Sequence, residues 1–114
     1  MENDLFQKWQ SQLRKGYLEL CVLIVLRQKH TTYGFELLRL LNEAGISLNE
    51  GTLYPLLNRM HKNGWLDSYW IHPEDSGHPR RFYQLSDTGV EQLPKMLDAF
   101  QQNECAVSKL MELI

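Results

Sequence analysis

Cysteine is scarce in this chain of 114 residues: Cys21 and Cys105 are the two, 84 positions apart and outside any paired motif. That excludes a disulfide framework and a thiolate zinc site. Cys21 lies in an apolar run and reads as core, and nothing near Cys105 in the sequence would lower its pKa enough for a redox switch. Long hydrophobic runs are also missing. The longest, Leu20–Leu26, falls far short of the ~20 residues that span a bilayer, and the amino end is polar with Glu2 and Asp4, so neither a signal peptide nor a membrane span is expected and the cytoplasm is the default. The four histidines, His30, His61, His72 and His78, have no HxxxH spacing, so no metal and no cofactor are expected. There is no internal repeat or low-complexity segment, and no nucleophile–base pair. Asp67, Glu74 and Asp75 near His72 come nearest to a catalytic cluster, but they fall in or beside a turn where charges are ordinary, and no enzyme is expected.

Charge of a single sign is lacking as well, with 12 Lys and Arg against 14 Asp and Glu. The chain is therefore not a polycation that coats nucleic acid, and any such surface must be a local patch. Residues 1–85 carry ten cations against nine anions and residues 86–114 two against five. The clustered cations are Arg59, Lys62, Arg80 and Arg81.

What is present is hydrophobic periodicity. Phe6, Trp9, Leu13, Tyr17 and Leu20 recur every three or four positions, predicting a helix over 4–28 whose second half is buried and whose one-sided first half rests on something else, such as another subunit. His30-Thr31-Thr32 offers a cap to a short second helix with Phe35, Leu37, Leu38, Leu40 and Leu41, ending at Ala44-Gly45. Ser47 and Glu50 have capping-box spacing for a third helix, with Leu53, Leu56, Leu57 and Met60 inward and a stop at Asn63-Gly64. Pro55 argues that regular helix begins near Thr52. Trp65–Ile71 and Arg81–Leu85 are aromatic, β-prone runs around the turn residues 72–79 and predict a hairpin. Ser86 then caps a last helix whose 28 positions from Asp87 could reach ~42 Å, bent near Pro94.

The expected fold is mainly α with a small β-hairpin: a winged helix-turn-helix over residues 1–85 and a long C-terminal helix over 86–114 that forms one unit with the first helix. In such a plan the third helix enters the major groove and the wing lies along the adjoining backbone. Asn49, Thr52, Tyr54, Asn58, Arg59 and Lys62 supply amide, hydroxyl and cationic groups on that helix, and Gly77, His78, Arg80 and Arg81 let the wing approach phosphates. Glu50 either accepts from a cytosine amino group or caps its helix, the second being the simpler role, and Tyr54 either donates to a phosphate or packs its ring. His78 is a further cation below pH ~6.5 or an inert turn residue.

On the last helix Leu93, Phe100, Val107 and Ile114 recur every seven residues, flanked by Met96, Leu97, Leu110 and Met111. An 85-residue body cannot cover them all. Each is worth ~1.5–3 kcal/mol on burial against an association cost of ~4–15 kcal/mol, so the tail alone would pair marginally, and Phe6, Trp9 and Leu13 are needed to make a stable homodimer. Trp9, Leu13, Met96 and Phe100 either pack an interface or surround a pore for a small aromatic or cationic hydrophobic ligand.

These residues resemble the PadR-like transcriptional regulators. The matching pieces are Tyr33-Gly34-Phe35-Glu36-Leu37, then Leu48-Asn49-Glu50-Gly51-Thr52-Leu53-Tyr54-Pro55-Leu56-Leu57-Asn58-Arg59-Met60, then Gly64, Tyr69-Trp70, Gly77, Pro79-Arg80-Arg81, Tyr83 and Leu85-Ser86-Asp87-Thr88-Gly89. The resemblance spans about residues 13–89 and departs at Trp65, where the family usually has a smaller aliphatic residue. With its single terminal helix the chain is similar to the small subfamily. That similarity implies a dimer paired through the first and last helices, double-stranded DNA as partner, and repression relieved by an effector, with Tyr33 of the shared motif near the DNA. The alternative is a winged-helix module that binds protein, which would have a neutral wing and an apolar outer face on its third helix.

Overall fold

The first helix carries a change of character at its middle. In the computed structural model, which describes residues 2–72 and 77–113, α1 runs over Glu2–Lys29; residues 3–13 are exposed on every side, whereas Leu18, Leu20, Val22, Leu23 and Leu26 are buried. Among the described residues none buries the apolar side of that first half. The helix stops at His30, whose φ of 66° is a left-handed conformation that histidine tolerates better than most side chains.

The chain next forms an element absent from the sequence reading. Thr32–Tyr33 is a short strand, β1, paired antiparallel with the later strand β3 (Arg80–Leu85), Thr32 opposite Tyr83 and Tyr33 opposite Phe82. His30-Thr31-Thr32 therefore does not cap the second helix. α2 (Gly34–Glu43) has Tyr33 at its N-cap without a side-chain bond, and the Thr32 hydroxyl donates to Glu36 Oε2 at 2.9 Å. The strand β2 (Leu66–Ile71) lies on the other side of β3, so the order is β1-β3-β2 and the hairpin is part of a three-stranded sheet.

Gly45 (φ 98°) and Gly64 (φ 82°) end α2 and α3 in the left-handed region, as their spacing predicts. The start of α3 (Glu50–Lys62) differs from the expected capping box: Asn49 is the N-cap, its Oδ1 accepting from Thr52 N at 3.0 Å. Ser47 is engaged elsewhere, its carbonyl accepting from the Arg14 guanidinium of α1. Regular helix begins at Glu50, ahead of Thr52. Pro55 faces solvent there and removes one backbone bond, the one to the Gly51 carbonyl.

Leu53, Leu57 and Met60 of α3 are fully buried against Leu23 and Leu26 of α1 and Leu37 and Leu41 of α2, with Leu66 and Tyr83 closing the core from the sheet. Cys21 is half-buried at its edge, where burial pushes the thiol up and away from reactivity, while Cys105 is exposed. Ser86 caps α4 (Asp87–Glu112), its Oγ accepting from Gly89 N at 3.0 Å, and the helix continues through Pro94. Leu93 is buried within the subunit and Met96 and Leu97 pack beside it, which corrects the placement of Leu93 on a subunit contact: the first three turns of α4 lie against the body. Residues 98–113 are exposed. Among the described residues no helix is long and apolar enough to cross a membrane.

Candidate nucleic-acid interface

At 3.6 residues per turn, the side of α3 opposite its buried stripe is made by Gly51, Pro55, Asn58 and Lys62. All four are exposed, and among the described residues the one side chain of another element seen to bond to them is Arg81, at Asn58. Tyr54 lies on one flank, facing α2. Its ring rests on Gly34, where a Cβ would come within 2.7 Å of it. Burial, and then the charge of Glu50, push the phenol pKa up, so at neutral pH the hydroxyl keeps its proton and is a donor for an anionic oxygen. Thr52 and Arg59 lie on the other flank, toward α1, where Arg59 Nε donates to Glu19 Oε1 at 3.4 Å. Asn49 has its Oδ1 occupied in the cap.

Sequence alone treats Arg80 and Arg81 as equivalent; the register of the hairpin separates them. Alternation along β3 puts neighbours on opposite faces. Arg80 is exposed, its guanidinium 4.7 Å above the Tyr33 ring, which in turn packs on Phe82 with ring centroids 5.5 Å apart. Arg81 is turned toward α3 and half-buried. Its Nη2 donates to Ser68 Oγ at 2.9 Å and its Nη1 to Asn58 Oδ1 at 3.5 Å, and the group stands 5.2 Å over the Tyr83 ring. Its Nε is buried and has no hydrogen-bond partner among the described residues. Arg81 thus braces the wing against α3, whereas Arg80 faces outward. Gly77 and His78 are exposed beside Pro79, and residues 73–76 of the turn lie outside the described residues.

Tyr33, Gly34, Tyr54, Pro79, Arg80 and Arg81 meet around a groove of about 480 Å³, to which Phe35 and Trp70 add exposed rings. The sequence reading used Phe35 as one of the apolar residues of the second helix and gave it, Ser68 and Trp70 no role at the site. Strand alternation marks Ser68 and Trp70 as same-face neighbours, but only pairing across the sheet shows that Trp70 lies opposite Arg81 and Ser68 opposite Tyr83, within reach of the Arg81 guanidinium. Replacing Arg80 with Gln should weaken DNA binding and leave the melting temperature unchanged. Arg81→Gln, by contrast, should lower stability by about 1–3 kcal/mol, because it breaks a hydrogen-bonded group that joins two elements; equal melting temperatures for the two variants would refute the division.

The sequence pattern of the PadR-like transcriptional regulators matches residues 22–95. The chain belongs to the PadR-like family. The PadR family transcriptional regulator from Eggerthella lenta is 32% identical, with 96% of this chain and 90% of that one covered and a TM-score of 0.79. A transcriptional regulator from Streptococcus is 35% identical over 88% of this chain and 97% of its own (TM-score 0.77), and the PadR-like regulator from Bacillus cereus 34% over 88% and 96% (TM-score 0.77). No curated protein matches in sequence. As a PadR-like protein the chain is a DNA-binding transcription regulator and not an enzyme. The exposed polar face of α3, beside a wing that carries an outward arginine, is the surface of this PadR-like chain suited to that role.

The helices at the far side of the molecule hold the remaining predicted residues. Phe6 and Trp9 stack with centroids 5.9 Å apart and stand exposed with Leu13; Phe100, Val107, Leu110 and Met111 are exposed along α4, and Ile114 lies outside the described residues. Leu5, Val90 and Leu113 are also exposed. Between α1 and α4 is a cavity of about 340 Å³ lined by Leu13, Gly16, Tyr17, Leu20, Met96, Ala99, Phe100 and Asn103. Leu13, Met96 and Phe100 are thus brought together. Trp9 is not part of the lining, and Tyr17, unremarked in the sequence beyond its helical spacing, takes the aromatic position there, edge-on to Phe100 with centroids 6.4 Å apart.

Proposed function

We propose that this PadR-like chain is a cytoplasmic, homodimeric repressor that reads a pseudo-palindromic operator. The observation that carries the reading is the outward face of α3: polar at Asn58, cationic at Lys62, exposed, and flanked by Arg80 of the wing. Asn58 and Lys62 are the base-reading candidates, with Thr52, Tyr33, Tyr54, Asn49, Arg59, Gly77, His78 and Arg80 grouped toward the backbone. Residues 86–114 are the pairing arm, and with α1 they bring two α3 helices about one DNA turn, ~34 Å, apart.

The test is fluorescence anisotropy on duplex tiles of the region upstream of the chain's own coding sequence, beside scrambled DNA, at two salt concentrations. Saturable binding to one palindromic tile with a steep salt slope is expected, and equal weak binding to every tile would overturn it. The second outcome would favour a protein-binding module, for which the exposed rings of Phe35 and Trp70 are the supporting feature.

The α1/α4 cavity is the proposed effector site, suited by Tyr17, Phe100 and Met96 to a flat, hydrophobic ligand. A planar aromatic cation should bind in the micromolar range by calorimetry. The cavity mouth lacks a fixed charge in its lining, so ring contact should dominate, and Phe100→Ala should weaken binding at least tenfold. Unchanged affinity in that variant would remove the ligand from this cavity.

A further inference from the structure

On the wing side of α3 lies the groove of Tyr54 and Arg80. A second groove, of about 500 Å³, lies on its other side, between the start of α3 and α1, and the role described so far does not use it. Its walls are Ser11, Arg14, Lys15 and Leu18 from α1 and residues 47–49 and Thr52 from the turn into α3.

Helical geometry explains why the cations gather there. At roughly 100° per residue, Lys8, Ser11, Gln12 and Lys15 fall on one side of α1 and Phe6, Trp9, Leu13 and Tyr17 on the other. The polar side also carries Asp4 beside Lys8 at its far end, and Glu19, whose carboxylate is occupied by Arg59. Arg14 is turned toward the loop before α3 by its bond to the Ser47 carbonyl, which places a guanidinium at the edge of α3. Lys15 is exposed and beside it.

A helix lying in the major groove has a sugar–phosphate strand on each side of it. The wing and Tyr54 stand over one strand, and the α1 groove is where the other must pass. We infer that the Ser11–Lys15 segment of α1, with Thr52, seats a phosphodiester of the DNA strand opposite the wing. The inference rests on the DNA-binding reading of α3 and adds to it a sequence-independent backbone contact from a helix whose other side lines the α1/α4 cavity. Lys15 supplies the charge, the hydroxyls of Ser11 and Thr52 are donors, and Arg14, bonded to the Ser47 carbonyl, links the two walls of the groove. A ligand that shifted α1 would thereby move a DNA contact directly.

The test is the salt dependence of DNA binding for Lys15→Gln beside wild type and Arg80→Gln. Each phosphate contact contributes about 0.9 to the slope of log affinity against log salt. Lys15→Gln should therefore flatten the slope by about 0.9 per bound subunit, and by equal amounts on operator and scrambled DNA, since no base is read. If wild type discriminates among tiles and Arg80→Gln flattens the slope while Lys15→Gln does not, the phosphate seat is refuted and the repressor reading stands. If wild type binds all tiles alike, the operator reading fails, and the slope of Lys15→Gln on that nonspecific binding still decides the seat. A change in sedimentation coefficient for Lys15→Gln would assign Lys15 to a subunit contact and overturn the inference equally.

Discussion

Gly89→Ala should cost about 3 kcal/mol or more of folding stability, the upper end for a single added methyl in a packed site. The reason is a backbone, which cannot rotate away: a Cβ at Gly89 would stand 2.1 Å from the Trp65 carbonyl oxygen. That contact is close because the first turn of α4 is fastened to the end of α3. Ser86 N donates to the Trp65 carbonyl at 3.0 Å, the Ser86 hydroxyl donates to the Gly64 carbonyl, and the same hydroxyl accepts from Gly89 N. Gly16→Ala is the control. It adds the same methyl to a helix, with nothing within 4 Å, and should stabilise by about 0.5–1 kcal/mol through reduced unfolded-state freedom. Chemical denaturation of both variants gives the comparison, and a Gly89→Ala protein as stable as wild type would mean that α4 does not approach the α3 end this closely.

Gly89 also shows what was legible in the sequence and what was not. The run Leu85-Ser86-Asp87-Thr88-Gly89 announces a helix start through Ser86 alone, and the cap is where that reading puts it. Nothing local says why a glycine follows at the third helical position, because the reason is the carbonyl of Trp65, brought there by the hairpin. The same division runs through the molecule. Helix stops at Gly45 and Gly64 and the inward stripe Leu53, Leu56, Leu57 and Met60 depend on neighbours within a few residues, and those features agree with the structure. β1 is two residues long, too short for alternation to register, and exists because Tyr83 and Phe82 lie beside it. Ser47 and Glu50 matched a capping box by spacing, but Asn49 competes for the cap from a better position while Arg14, a distant residue, holds the Ser47 carbonyl. At the interface, the residue types on α3 and the wing were visible. The different duties of Arg80 and Arg81 and the pairing of Arg59 with Glu19 were not, since each is decided by strand register or by the packing of α1.

Val107→Glu with Leu110→Glu should convert the protein to a monomer and lower operator affinity by about 10²–10⁴, the range by which linking two binding modules raises avidity. The two side chains lie one turn apart on the exposed end of α4, 56% and 63% accessible, so the charges cost the isolated subunit little. Burying them against a partner would leave carboxylates without water or a cation, which no association of this size could offset. The placement matters: Leu93, Met96 and Leu97 already pack on the body, so fewer apolar residues of α4 remain for a partner than its heptad spacing suggests, and Phe6, Trp9 and Leu13 of α1 must supply the rest. Glutamate at Leu93 would merely unfold the subunit. Sedimentation velocity and anisotropy on one operator duplex read the two effects together, with far-UV circular dichroism to confirm that the variant stays helical. A folded monomer that binds as tightly as wild type would show that one α3 and one wing suffice, and a variant that remains dimeric would move the subunit contact off this end of α4.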